Sequence, residues 1–357
     1  MKVWILIFVC MFSMPLLVAV LHFKMRKGQI LKIKQDYVKN ARYFGRSFSA
    51  LVEKALPEMK NGMIMLSRQE KVLETDGKQE FVQPEIEDLV IARNTIFCPQ
   101  QEDLHFQKEI YSEKDALFVK ENIRLRAVYS KKRIVFGNKI RLLRWADAEY
   151  AVAVYDECDL GERVSSGEQL VIGFDNIFHS LYAPVIRLGQ RPEEPDRFME
   201  ERDPRIFRMP VMNRYEYNRH YIDDDMVTES GTVPYTIISR GDIKVIEDII
   251  LQGDIHSDGA VRIMENASVL GNIFAENDIL LEKNATVLGN IFTQGNIIFE
   301  EDASAGQPDK IISVVARGTI TFYGGNYVYG YVVSEGGGKI LKSDREVCLL
   351  YTSDAAD

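Results

Sequence analysis

Along residues 236–345, apolar and polar residues alternate in short runs, each closed by Gly, Asn or Asp, and the pattern returns every 18 residues. Residues 266–274 read NASVLGNIF and residues 284–292 read NATVLGNIF, identical at eight of nine positions. The same step reaches back from Gly271 to Gly253 and forward from Asn284 to Asp302. Alternation of this kind marks a strand with one buried face. Gly and β-branched residues are frequent and no 3.6-residue period persists, which excludes a helix. Eighteen residues suit one coil of a three-sided parallel β-helix, with about six residues per face. Ile279, Leu281, Val287, Ile291, Ile297 and Phe299 are expected to point inward. Gly271-Asn272 and Gly289-Asn290 are expected at corners, where they supply positive φ. Asn266 and Asn284 recur at one position and are expected to form a hydrogen-bonded side-chain ladder. A single coil cannot bury its own apolar side, so stability must come from stacking neighbours.

The period is also present, more faintly, upstream. Leu117, Val135, Ala153 and Val171 are spaced by 18, as are Phe118, Phe136, Val154 and Ile172. Tyr111-Ser112 matches Tyr129-Ser130 at the same step. One all-β architecture is therefore predicted in two parts, residues 108–189 and 236–347. Together they make about ten coils, or a rod of ~50 Å at ~4.8 Å per coil. Residues 190–235 break the period with Pro, Arg, Asp and Glu and are predicted to form an insertion loop or subdomain. Its Met209, Met212, Tyr215, Tyr217 and Tyr221 either pack back onto the rod or offer an interaction surface. Residues 61–107 are predicted to cap the first end, because a bare solenoid end exposes unpaired strand edges. The other end, carrying Tyr323, Tyr327, Tyr329 and Tyr331, is expected to be open. Self-association there gives a tail-to-tail dimer, since an isologous contact closes on itself.

Two further patterns precede the repeat. Residues 3–23 are apolar apart from Ser13, Pro15 and His22, the length of a membrane-spanning helix. Pro15 is tolerated in such a helix. A cleaved signal peptide fits less well, because only Met1-Lys2 precede the run and no small-x-small site precedes Lys24. Lys24, Arg26, Lys27, Lys32 and Lys34 follow directly, and the positive-inside rule then places the body in the cytoplasm of a cell with a single pass through its inner membrane. Residues 24–60 read as a basic juxtamembrane stalk. Ile30, Ile33, Tyr37, Ala41, Phe44, Phe48, Leu51 and Ala55 fall at helical spacing, with Lys32, Lys39, Arg42 and Arg46 opposite. This helix is expected either to stand in solvent or to lie on anionic lipid or a second copy of itself.

Charge sharpens the picture. The net charge is −9, but residues 24–54 hold nine basic and two acidic residues, and Lys2 adds one more positive charge. The remainder carries −17, which repels nucleic acid. Four cysteines, Cys10, Cys98, Cys158 and Cys348, form no CxxC and no even framework, in keeping with a reducing compartment. The five histidines, His22, His105, His179, His220 and His256, show no metal-ligand spacing. No phosphate loop, dinucleotide fingerprint or nucleophile elbow occurs. Glu193-Glu194-Asp196 and Asp223-Asp224-Asp225 read as solvated loop faces. Accordingly no catalytic, cofactor-binding or metal residue is nominated, and no cofactor is expected.

The enzyme alternative is a hexapeptide-repeat acyltransferase acting at the membrane, a family that also builds three-sided coils of this length. LEKNAT at 281–286 fits its hexad and IMENAS at 263–268 nearly does, but VLGNIF and AENDIL do not. Its general base is normally a histidine, for which His179 or His256 would be the candidates. Residues 348–357, CLLYTSDAAD, look like the read-through translation of a sequencing adapter and are set aside.

The segments GDIHSDGAVRIMENASVLGNIF and AENDILLEKNATVLGNIFTQGNIIFEEDASAG resemble the bactofilins, the polymer-forming cytoskeletal family of bacteria. The likeness covers residues 240–306 and, more loosely, 111–186. It implies a right-handed β-helix in the cytoplasm, without nucleotide, that assembles end to end and scaffolds envelope or cell-wall proteins. The spanning helix, the doubled coil count and the insert at 190–235 depart from that family. The resulting expectation is a membrane-anchored scaffold without enzymatic activity.

Overall fold

Stacking identical coils places like residues above one another, and the three strands of each coil pair in parallel with those of the next. The computed structural model describes Met14 and residues 40–99, 103–192, 216–218 (backbone alone) and 231–342. The expected spanning segment at 3–23 (Met14 aside), the stalk to residue 39, most of the insert and the tail at 348–357 lie outside the described residues. Among the described residues no helix is long and apolar enough to cross a membrane.

The chain is an all-β solenoid of about 13 turns with coils of about 18 residues. Phe118 sits over Phe136, Ala153 over Val171 and Val154 over Ile172, and Tyr111-Ser112 lies beside Tyr129-Ser130, all in register as the period predicts. In the second run Ile273 pairs with Ile291, Val269 with Val287 and Leu281 with Phe299. Ile279, Leu281, Val287, Ile291, Ile297 and Phe299 are all fully buried. One continuous core links Phe81 to Ile340 through both runs. Each such side chain contributes roughly 1.5–3 kcal/mol by leaving water.

The corners correct one expectation. Positive φ is carried not by Gly271 and Gly289 but by Asp248, Asn266, Asn284 and Asp302, one per coil, with φ of 58–59°. Asn and Asp tolerate this conformation better than other side chains. The Asn284 amide also donates to the Asn266 side-chain oxygen at 3.1 Å, which is the expected ladder. Gly253, Gly271 and Gly289 serve close approach instead. A Cβ on Gly271 or on Gly289 would lie 2.3 Å from the carbonyl oxygen of the glycine one coil earlier. A second ladder runs beside them, with the Asn272 and Asn290 amides donating to Asp254 and Asn272 at 3.0 and 2.9 Å.

Pairing begins earlier than the sequence suggested. Gln69–Phe81 already pairs in parallel with Leu89–Pro99, inside the segment expected as a cap. The edge of Gln69–Phe81 is shielded in part by the antiparallel Met63–Met65. Such cover blunts a sheet edge that would otherwise recruit another strand.

The far end of the repeat is not open. Asn176–Leu188, the last strand of the first run, pairs antiparallel with Asn326–Ile340, the last strand of the second. The two runs thus advance toward each other and close on one another within one chain. Tyr331, expected to offer surface to a second copy, faces Tyr182 of the same chain with ring centroids 4.4 Å apart. The insert therefore links the junction to the opposite end of the second run, where Glu216–Asn218 adds to Thr236–Ser239 as an extra parallel rung. It departs from the coils at one end and rejoins them at the other.

The described part of the stalk, from residue 40, departs from expectation. Helix α1, Tyr43–Ala55, lies against the outer flank of the first run. Its buried stripe is Gly45, Ser49, Val52 and Ala55, while Phe44 and Leu51 of the expected apolar face are exposed. Small residues let the helix approach the strands, and Phe48 then fits edge-on against Trp145 at 5.7 Å. Val52, Tyr111, Ala127, Tyr129 and Trp145 form a second apolar cluster outside the coils. The helix neither stands free nor leaves this stripe for lipid, because the flank of the solenoid covers it.

Candidate functional site

Alternation along a strand sends every second side chain outward, and stacking then turns single residues into continuous strips. One strip stands out on the second run. His256, Phe274 and Phe292 occupy successive rungs of one ladder. Their rings stack within 10° of parallel, at 4.9 and 5.4 Å. Phe274 is 38% exposed. Beside them runs an open groove of about 460 Å³ whose rim carries Asp258, Glu276, Arg317 and Glu335. A smaller groove of about 220 Å³ on the neighbouring face is of mixed character, lined by Ser268, Asn284, Thr286 and Ser304 together with Leu288, Pro308, Tyr327 and Tyr329. There the Thr286 and Ser304 hydroxyls bond each other at 3.1 Å.

The helix dock is the most heavily built polar site. Arg42 is 4% exposed and Asp147 1%. The guanidinium donates to both Asp147 carboxylate oxygens at 2.8 and 3.2 Å, to the Ala148 carbonyl at 3.0 Å and to Glu149 at 3.0 Å. Ser165 donates to Asp147 at 2.8 Å and Tyr129 to Glu149 at 3.0 Å. Burial pushes the Asp147 carboxyl above its ordinary range, against the opposing pull of Arg42. A Cβ on Gly45 would lie 2.4 Å from Asp147, so the helix can come this close only with glycine there.

The residues singled out in the sequence are not brought together. His256 is exposed and stacked on Phe274. His179 is exposed at the junction, beside Gly337. About five rungs of one ladder, ~24 Å, separate the two histidines. Cys98 and Cys158 are buried free thiols, and burial pushes Cys158 up to about 12. Among the described residues no three His, Cys, Asp or Glu side chains group as a metal site. His220, Cys10, Cys348 and both carboxylate clusters lie outside the described residues.

Sequence reasoning missed the aromatic strip, although the signal was present. Ile291 was read as inward, so Phe292 beside it, and Phe274 one period earlier, had to point out. Nothing comparable marked Arg42, one basic residue among nine. Comparisons of the chain with protein-family models, with curated proteins and with solved structures return no match.

Proposed function

We propose that this chain is a membrane-tethered, non-enzymatic scaffold of the bactofilin kind, a right-handed solenoid held at the cytoplasmic face of the inner membrane by residues 3–23. Envelope or cell-wall proteins are its partners, and it needs neither nucleotide nor cofactor. The observation that carries this reading is the dock of helix α1. The buried Arg42–Asp147 pair fixes the chain, within its basic stretch, to the flank of a continuous rod. A rod fastened in this way near an anchoring segment presents long regular faces rather than a cleft, the geometry of a surface on which partners assemble. The closed junction supports a further point. Because Asn326–Ile340 is already paired, copies meet through flanks or outer ends, and the tail-to-tail dimer is replaced by an intramolecular equivalent.

Cell fractionation and imaging test the reading together. The full chain is expected to remain with membranes through high-salt and carbonate washes, and a chain beginning at Gly28 to become soluble. A C-terminal fluorescent fusion is expected to be bright and to recover slowly after photobleaching, and a phosphatase fusion to be inactive. A soluble full chain or an active phosphatase contradicts the anchor and its orientation. Recovery as fast as that of a freely diffusing membrane protein contradicts the scaffold.

A further inference from the structure

The outward strip of the second run continues a face that already holds a helix. Ile238, His256, Phe274, Phe292, Val315 and Val333 stand on successive rungs of one ladder, each half-buried or exposed. At the junction Val333 pairs with Ser180 and, two residues away on the same face, Tyr331 pairs with Tyr182. The Tyr182 row runs on into the first run through Ser165, Asp147, Tyr129 and Tyr111. Ser180 and Arg163 each stand two residues before a member of that row, so Arg163 and its neighbour Trp145 lie in line with the strip. There α1 covers the face, with Phe48 against Trp145 and Phe44 under the Arg163 guanidinium. We propose that the strip on the second run is a second helix seat, and that it takes an amphipathic helix of a partner protein with an apolar stripe and basic flanks. The inference rests on the scaffold reading for its partner, and its test reads peptide binding rather than localisation, so that either can fail alone.

The first argument is the fit of a helix to the rungs. Along α1, Gly45 abuts Asp147, Ser49 meets Tyr129, and Glu53 accepts a hydrogen bond from the Tyr111 hydroxyl at 3.3 Å. Asp147, Tyr129 and Tyr111 are successive rungs. One helical turn thus advances one rung, because a pitch of ~5.4 Å lies close to the ~4.8 Å rung spacing. The strip spans ~24 Å, the length of about 16 helical residues. Anchors one turn apart on an incoming helix would each meet one rung, which is how an amphipathic helix reads a groove.

Charge selects the kind of helix. Asp258 and Glu276 flank His256 and Phe274 on the groove rim, and neither pairs with a basic side chain among the described residues. Farther along the rim, Arg317 is engaged by Glu335 at 4.0 Å and donates to Gln294 at 3.3 Å. Arg240, one rung beyond Asp258, does not line the groove. On the other side of the strip stands Asp254, 8% exposed. It belongs to the row of Tyr331, Ser313, Asn290 and Asn272, the row that holds Asp147 across the junction. Its Oδ1 accepts the Asn272 backbone and side-chain amides at 2.8 and 3.0 Å, which leaves Oδ2 for an incoming cation, as Asp147 holds Arg42. The charge beside the ring stack is therefore negative on both sides, and complementary charge selects the partner and fixes its register more than it adds affinity.

Size sets the strength. A strip ~24 Å long and ~10 Å wide offers ~240 Å² per side, below the ~1,000 Å² in total that marks a stable complex. The second seat therefore holds its helix weakly and releases it, whereas α1 is tethered to its own seat by the chain.

The test uses the full chain in zwitterionic nanodiscs and a labelled synthetic helix of about 16 residues, with Leu and Phe one turn apart on one face and Lys on both flanks. A second peptide carries Glu in place of every Lys. Fluorescence anisotropy is expected to show saturable binding of the Lys peptide and about tenfold weaker binding, or less, of the Glu peptide. Phe274→Ser with Phe292→Ser is expected to weaken the Lys peptide about tenfold or more. Asp254→Asn, which keeps the amide ladder, is expected to weaken it several-fold, and Ile298→Ser on the adjacent face to leave it unchanged. Native-like melting profiles establish that the variants keep the fold. A photo-crosslinking phenylalanine analogue at position 274 is expected to capture the Lys peptide. Absent binding, equal binding of the two peptides, equal binding by the native chain and the Phe274→Ser, Phe292→Ser variant, or crosslinks from position 274 only within the chain or to a second copy overturn the proposal.

Discussion

Val287→Asp is expected to abolish cooperative unfolding of the second run. Val287 is fully buried and lies in register between Val269 below and Ala305 above. The substitution removes roughly 1.5–3 kcal/mol of apolar burial. It also places a carboxyl among hydrocarbon, where the lack of a hydrogen-bond partner costs about 2 kcal/mol or more even when neutral. A total on the order of 4–5 kcal/mol is a large share of the 5–15 kcal/mol that stabilises a typical domain. The damage spreads, because each coil depends on its neighbours for burial. Thermal unfolding followed by circular dichroism is expected to show a broad, early transition. Thr286→Asp, one residue earlier and facing outward, is expected to cost ~1 kcal/mol or less. Equal effects from the two variants would mean that the inward register is wrong.

Arg42→Ala is expected to release helix α1 and to lower stability by about 3–5 kcal/mol, the cost of stranding a buried charge. Asp147 retains only the Ser165 hydroxyl as a side-chain donor once the guanidinium is gone. Removing both charges with apolar replacements, Arg42→Met with Asp147→Leu, is expected to recover most of the loss, since a buried ion pair contributes little net stability. Trp145 reports on the dock directly, because Phe48 packs against it. With Trp4 changed to Phe, the Arg42→Ala variant is expected to show red-shifted Trp145 emission and faster proteolysis within residues 41–60. Unchanged emission and stability would show that the pair does not hold the helix.

The parts of the fold that repeat locally were legible in the chain. Every coil from 236 onward shows its inward residues through alternation, and the Asn266–Asn284 ladder follows from identical residues 18 apart. The glycines were misread because Gly is compatible both with positive φ and with close approach, and the sequence does not separate these demands. The coils at 69–107 were hidden by irregular spacing. Leu89 pairs 17 residues after Val72, and Ala116 pairs 21 residues after Thr95. The dock of α1 had no local signature, since an amphipathic stripe looks the same whether lipid, a second copy or the chain's own flank covers it. The junction was equally hidden, because Leu181 and Val332 pair across 151 residues and neither strand repeats the other.

That junction is the claim on which the rest depends, and one disulfide tests it. Tyr182 and Tyr331 are directly opposed in the antiparallel register. Opposed residues of an antiparallel pair have Cα atoms about 4.5–5.5 Å apart, within the range that a disulfide bridges. The measurement uses Tyr182→Cys with Tyr331→Cys in a chain whose Cys10 and Cys348 are replaced by Ser, the native Cys98 and Cys158 being buried. Two runs that close on one another predict rapid oxidation to a single intrachain bond, seen by mass spectrometry as a linked pair of peptides in a species of monomer mass. Thiols that stay reduced under mild oxidation, or bonds found only between chains, would contradict it.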